Sequence, residues 1–167
     1  MEKGSQSTTN SSGKRLDLVL RIPEYVRIER GLKFSTIGAH SEVAREQGEV
    51  MFGKFGAALK GASLQRLEAS KGAGSPRLIV VMKKGSFVGF SAVLGGITDK
   101  LPSPAEQRYV PEFYHLLAEM NETPSTWFRL MSPFEPIELS SFSLVTSGRP
   151  LLEVISETRT SMMLVHS

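Results

Sequence analysis

Residues 77–93 read RLIVVMKKGSFVGFSAV, an apolar run, the tetrapeptide Lys83-Lys84-Gly85-Ser86, and a second apolar run punctuated by Gly89. Two short apolar segments rich in β-branched and aromatic residues, joined by a polar turn that carries a glycine, predict a β-hairpin. The first segment is apolar on both faces of a period-two pattern, which places it centrally in a sheet. This hairpin is the strongest structural signal in the chain, and the rest of the sequence is read around it.

Upstream, RLDLVLRI (residues 15–22) alternates Leu16, Leu18, Leu20 and Ile22 with Arg15, Asp17, Val19 and Arg21. That alternation predicts a half-buried strand ended by Pro23. GLKFSTIG (31–38) is a second candidate strand. SEVAREQGEV (41–50) reads as a short helix, with Ser41 as N-cap and Gly48 at a left-handed exit. SLQRLEASKGAG (63–74) reads as another, capped by Ser63 and closed by Gly72 and Gly74. Downstream, residues 95–107 are expected to form a loop, and YVPEFYHLLAEM (109–120) a helix after Pro111. STWFRLM (125–131) is expected to be a strand, and PLLEVISETRTSMMLV (150–165) a closing helix. Short helices among about five or six strands predict an α/β chain of the α+β kind, or a barrel-like sheet with helices packed on it.

Composition limits the function classes. With 167 residues the chain fits one domain, and 40% hydrophobic content suffices for a core. Residues 1–14 are rich in Ser, Thr, Gly and Asn and read as a disordered tail, leaving 15–167 as the domain. The absence of cysteine excludes disulfides, Cys-ligated zinc and a thiol nucleophile. No apolar stretch approaches membrane-spanning length, and the polar start lacks a signal core, so an intracellular protein of nucleus or cytoplasm is expected.

No catalytic motif is present. Of three histidines, His40 precedes a predicted helix, His166 stands near the end, and His115 lies between Glu112 and Glu119 at helical spacing. A histidine beside carboxylates suits a general base or a metal ligand, but a solvated helix face gives the same pattern. No HExxH, GxSxG or P-loop occurs. The reading is therefore no enzyme, no metal and no cofactor.

Charge points elsewhere. The net charge is +3 with pI near 9.3. Between Lys54 and Arg108 nine basic residues face three acidic ones, a net of +6. Such asymmetry is the footprint of a phosphate-bearing partner, and it is also what a solvated lysine-rich surface looks like. Phe52, Phe55, Tyr109, Phe113, Tyr114 and Trp127 are candidates for stacking on bases, with core filling as the plain alternative for each.

The order of elements, sharpest at GSFVGFSAV and at the strand containing Trp127, resembles the YTH domain, a PUA-like open β-barrel whose members read N6-methyladenine in single-stranded RNA. The likeness runs from about Leu32 to Val165. It implies a methyl-base cage of Phe52, Tyr109 and Met120, with Phe and Tyr where the family carries tryptophans. It puts Thr36, Gly38 and Glu42 at the pocket rim, where the family has a Lys and polar base contacts. Lys54, Lys83, Lys84, Arg108 and Arg129 are the candidate RNA-backbone contacts. Losing the polar partners of a base weakens discrimination, so methyl-base reading is expected to be altered or lost. The implied partner is single-stranded RNA, methylated or not. The alternative is a protein partner bound by the same fold.

Overall fold

The computed structural model describes residues 14–59 and 61–167. The expected tail, 1–14, lies outside the described residues except for Lys14. The fold is mixed α/β, and no described helix is long and apolar enough to cross a membrane.

The hairpin forms as read. Strands β5 (Arg77–Lys84) and β6 (Ser86–Thr98) pair antiparallel from Arg77–Val93 to Lys84–Ser86. Gly85 alone turns the chain between them, at φ +81, which a side chain would resist. Leu78 to Met82 are all buried, as a central strand requires.

Four expectations are corrected. The first strand, β1 (Asp17–Arg21), is buried on both faces rather than one. It runs parallel to β5 and antiparallel to β10 (Met162–His166), so it is an interior strand. Leu18 and Leu20 join one apolar cluster and Val19 another. Asp17 is tolerated there because Arg77 donates to it from both its backbone N–H (2.8 Å) and its guanidinium (3.1 Å). Second, the segment 31–38 is only half strand. A hairpin of β2 (Tyr25–Arg27) and β3 (Lys33–Ser35) ends directly in helix α1 (Thr36–Gln47). Ser35, not Ser41, is its N-cap, accepting from the Gly38 N–H at 3.0 Å, while Gly48 closes the helix at φ +86 as expected. Third, residues 95–98 are not loop. A bulge between Leu94 and Gly96 redirects β6, which leaves β5 and pairs with β7 (Thr126–Leu130). Fourth, the closing segment is a short helix, α4 (Leu151–Glu157), followed by β10. Its β-branched and methionine-rich second half takes the strand.

The remaining elements are β4 (Val50–Lys54), α2 (Gly61–Ala69, beginning before Ser63), α3 (Phe113–Glu119), β8 (Glu135–Ile137) and β9 (Ser143–Leu144). The main sheet runs β4-β7-β6-β5-β1-β10-β9, with β8 beside β6. Its hydrogen-bonded path does not close on itself, and ten strands are described rather than about six.

Candidate functional site

Strand β4 decides the site, because successive side chains point to opposite faces of the sheet. Phe52 belongs to the cluster with Leu20, Val80 and Phe128. Met51 belongs to the cluster with Phe113, Tyr114 and Trp127, against which Tyr109 packs. The two expected cage aromatics thus lie in different clusters. Phe52 is 4% exposed, and His40 stacks on it at 4.4 Å between ring centroids.

His40 is the residue that sequence reading passed over. It sits inside α1, fully buried, at the centre of a hydrogen-bond chain. Its Nδ1 lies 2.7 Å from the Thr36 carbonyl, which can only accept, so Nδ1 carries the proton. Nε2 therefore accepts from the Tyr114 hydroxyl at 2.7 Å. Tyr114 in turn accepts from the Gly53 N–H at 2.8 Å. Gly53 permits this approach, since a Cβ there would lie 2.4 Å from Pro124 Cγ and 2.9 Å from Tyr114 Cε1. Burial pushes the His40 imidazole down to about 4 and holds the Tyr114 phenol well above its ordinary range. The pair is neutral and buried, and it ties α1 to β4 and α3. The only sequence signal for it is the spacing of Thr36, His40 and Ala44, whose mixed chemistry makes no apolar stripe.

Beside this chain lies an open cleft of about 560 Å³. Thr36, Phe52, Gly53 and Tyr114 line it together with Ile22 and Pro23 of the β1–β2 connection. Thr36 is spent structurally: its hydroxyl donates to the Pro23 carbonyl at 2.8 Å, holding that connection to α1. At the rim Phe55 is 38% exposed, its ring nearly parallel to Tyr114 at 6.2 Å. Arg21, Arg27 and Lys54 bring positive charge to the lining, against Glu122. Lys54 donates to the Phe55 and Ala57 carbonyls, and partial burial lowers its ammonium below the usual lysine range. Tyr25 also lines the cleft, with the Lys33 ammonium 4.3 Å from its ring centroid.

Of the expected site residues, the cleft gathers Phe52, Thr36 and Lys54. Tyr109, Met120, Gly38 and Glu42 are not on its lining, and Gly38 and Glu42 are exposed on α1. The expected backbone contacts divide by their present partners. Arg129 is held between Glu49 (3.0 Å) and Glu106 (2.9 Å), and the Glu106 carboxyl is lowered first by the Ser103 backbone N–H and further by Arg129. Lys84 pairs with Glu24 at 3.3 Å. Arg108 lies over Tyr109, 4.8 Å from its ring centroid, and donates to its hydroxyl. Lys83 stands exposed near Phe87, 5.6 Å from the ring centroid. His115 is exposed on α3.

Comparison with family models, characterised proteins and solved structures finds no match to this chain.

Proposed function

We propose that this chain is a single-stranded RNA-binding module of YTH-like, PUA-like fold that has lost the reading of methylated adenine. The observation that carries the proposal is the cleft beside His40: an exposed ring at its rim, an aromatic wall, and three cations against one acid. A base stacked on an aromatic side chain gains roughly 1–3 kcal/mol without regard to its sequence. Phe55 offers that platform, while Arg21, Arg27 and Lys54 suit the adjoining phosphates. Methyl discrimination is lost because it needs two rings closing on one base. Here His40 covers Phe52, and Tyr109 lies off the cleft lining. The protein works, on this reading, wherever RNA is met in nucleus or cytoplasm.

Fluorescence anisotropy with short single-stranded RNA, with and without N6-methyladenosine, tests it. Expected are equal affinities for both RNAs and a log–log salt slope of about −2, from three cations at about 0.7 each. Phe55→Ala should weaken binding about tenfold. Absence of binding to either RNA at low salt would sink the proposal. A stable protein partner captured in its place, resistant to nuclease, would move the function to the protein-binding alternative.

A further inference from the structure

On the far side of Arg21 lies a second cleft, also about 560 Å³, between the tip of the β5–β6 hairpin and the end of α4. Arg21 and Ile22 line both clefts. The Arg21 guanidinium is the anomaly. Its Nε and Nη2 are out of contact with solvent and have no hydrogen-bond partner among the described residues. Enclosed polar atoms are nearly always satisfied, and two of the three guanidinium nitrogens of this half-buried residue are not. Phe87 offsets part of the cost, its ring centroid 5.4 Å from the Arg21 guanidinium carbon. A ring does not occupy the in-plane N–H donors, which find no acceptor among the described residues.

The rest of the cleft has the same sign. Lys83, directly opposite Phe87 in the hairpin register, and Arg159, exposed after α4, both line it. Neither is in an ion pair among the described residues. The one acid, Glu157, has both carboxylate oxygens taken by Arg149 at 2.9 Å. Three cations thus converge on a space whose only carboxylate is already spent. Guanidinium donors in a fixed fork, supported by a second guanidinium and an ammonium, match a tetrahedral oxyanion.

We propose that this second cleft is a phosphate-binding site, with Arg21 as its fixed donor and Lys83 and Arg159 as its outer cations. Its ligand is a phosphate group, either of a polynucleotide backbone or free. The first source rests on the RNA reading above and makes Arg21 the point where a strand passes from one cleft to the next. The second does not depend on that reading.

The test pairs two probes on the full chain. Thermal unfolding is followed in pyrophosphate against chloride at matched ionic strength, for wild type, Arg21→Met and Arg159→Ala. Arg21→Met keeps the stem that packs beside Phe87, and Arg159→Ala, at an exposed position, guards against misfolding as the cause of any loss. Expected is a rise in melting temperature with pyrophosphate that is abolished in Arg21→Met and reduced in Arg159→Ala. Single-stranded RNA titrations on the same proteins name the source. A backbone phosphate in the second cleft predicts a salt slope shallower by about 0.7 in Arg159→Ala, since Arg159 lines that cleft and not the first, whereas Arg21→Met weakens RNA binding on the first-cleft reading alone. Unchanged RNA binding in Arg159→Ala, or none in wild type, alongside pyrophosphate protection that needs Arg21, assigns a free phosphate. If wild type and both variants respond alike to pyrophosphate, and Arg159→Ala binds RNA as wild type does, the site does not exist, whatever the RNA affinity.

Discussion

His40 carries more of this molecule than any residue singled out by motif. Neutral and buried, it accepts from Tyr114, donates to Thr36 and covers Phe52. Its imidazole titrates near 6.5 in the unfolded chain and about 4 in the folded one. Between those values the unfolded state binds the extra proton, so stability is full above about pH 6.5 and falls as pH drops toward 4. A shift of that size corresponds to about 3 kcal/mol. Urea unfolding of wild type from pH 7 to pH 4 should show the loss. In His40→Gln, which starts less stable, that component of the pH dependence should disappear. Identical pH profiles in the two proteins would show that His40 is protonated without penalty in the fold.

At the scale of the element, the cap of α1 moves from Ser41 to Ser35. Ser35 is the cap, but it and its Gly38 partner are exposed, so Ser35→Ala should cost about 1 kcal/mol or less. Ser41 is buried mid-helix and accepts from the Phe134 N–H at 3.1 Å. Ser41→Ala would orphan that buried donor and should cost about 1–3 kcal/mol. Urea midpoints should therefore rank Ser41→Ala below Ser35→Ala, and an unchanged midpoint in Ser41→Ala would show that the Phe134 N–H finds another acceptor. The misplaced start has a physical cause. Helix periodicity is read from apolar spacing, and the buried face of α1 is Thr36, His40, Ser41 and Ala44, with Gly38 in its first turn. The β5–β6 hairpin was legible because its apolar run and its turn glycine both act locally. The double burial of β1 was not, since it follows from parallel pairing with a strand some 60 residues away. In the same way Phe52 and Tyr109 were legible as aromatics. That they lie in different clusters follows from the facing of β4 and from the docking of α3, which no local spacing encodes.

Over the whole molecule, charge counts matter less than what each charge is doing. Arg129 is occupied by two carboxylates, whereas Arg27 and Lys54 reach the first cleft with no carboxylate bonded to them among the described residues. Arg129→Ala should leave the affinity for single-stranded RNA unchanged, whereas Arg27→Ala and Lys54→Ala should each make the salt slope shallower by about 0.7. Equal losses in all three variants would instead indicate a diffuse field with no defined path for the strand. The pairing of β1 with β10 also governs how the fold meets a pulling force. Asp17, which opens β1, stands opposite Val165, near the end of β10. Tension applied through Arg15 and His166 therefore enters at one end of an antiparallel ladder and opens its rungs one at a time, as a zipper opens, rather than loading them together in shear. Drawn through these two points the domain should yield at low force, peeling first at β1–β10, while the long β5–β6 hairpin stays closed until the sheet around it has come apart.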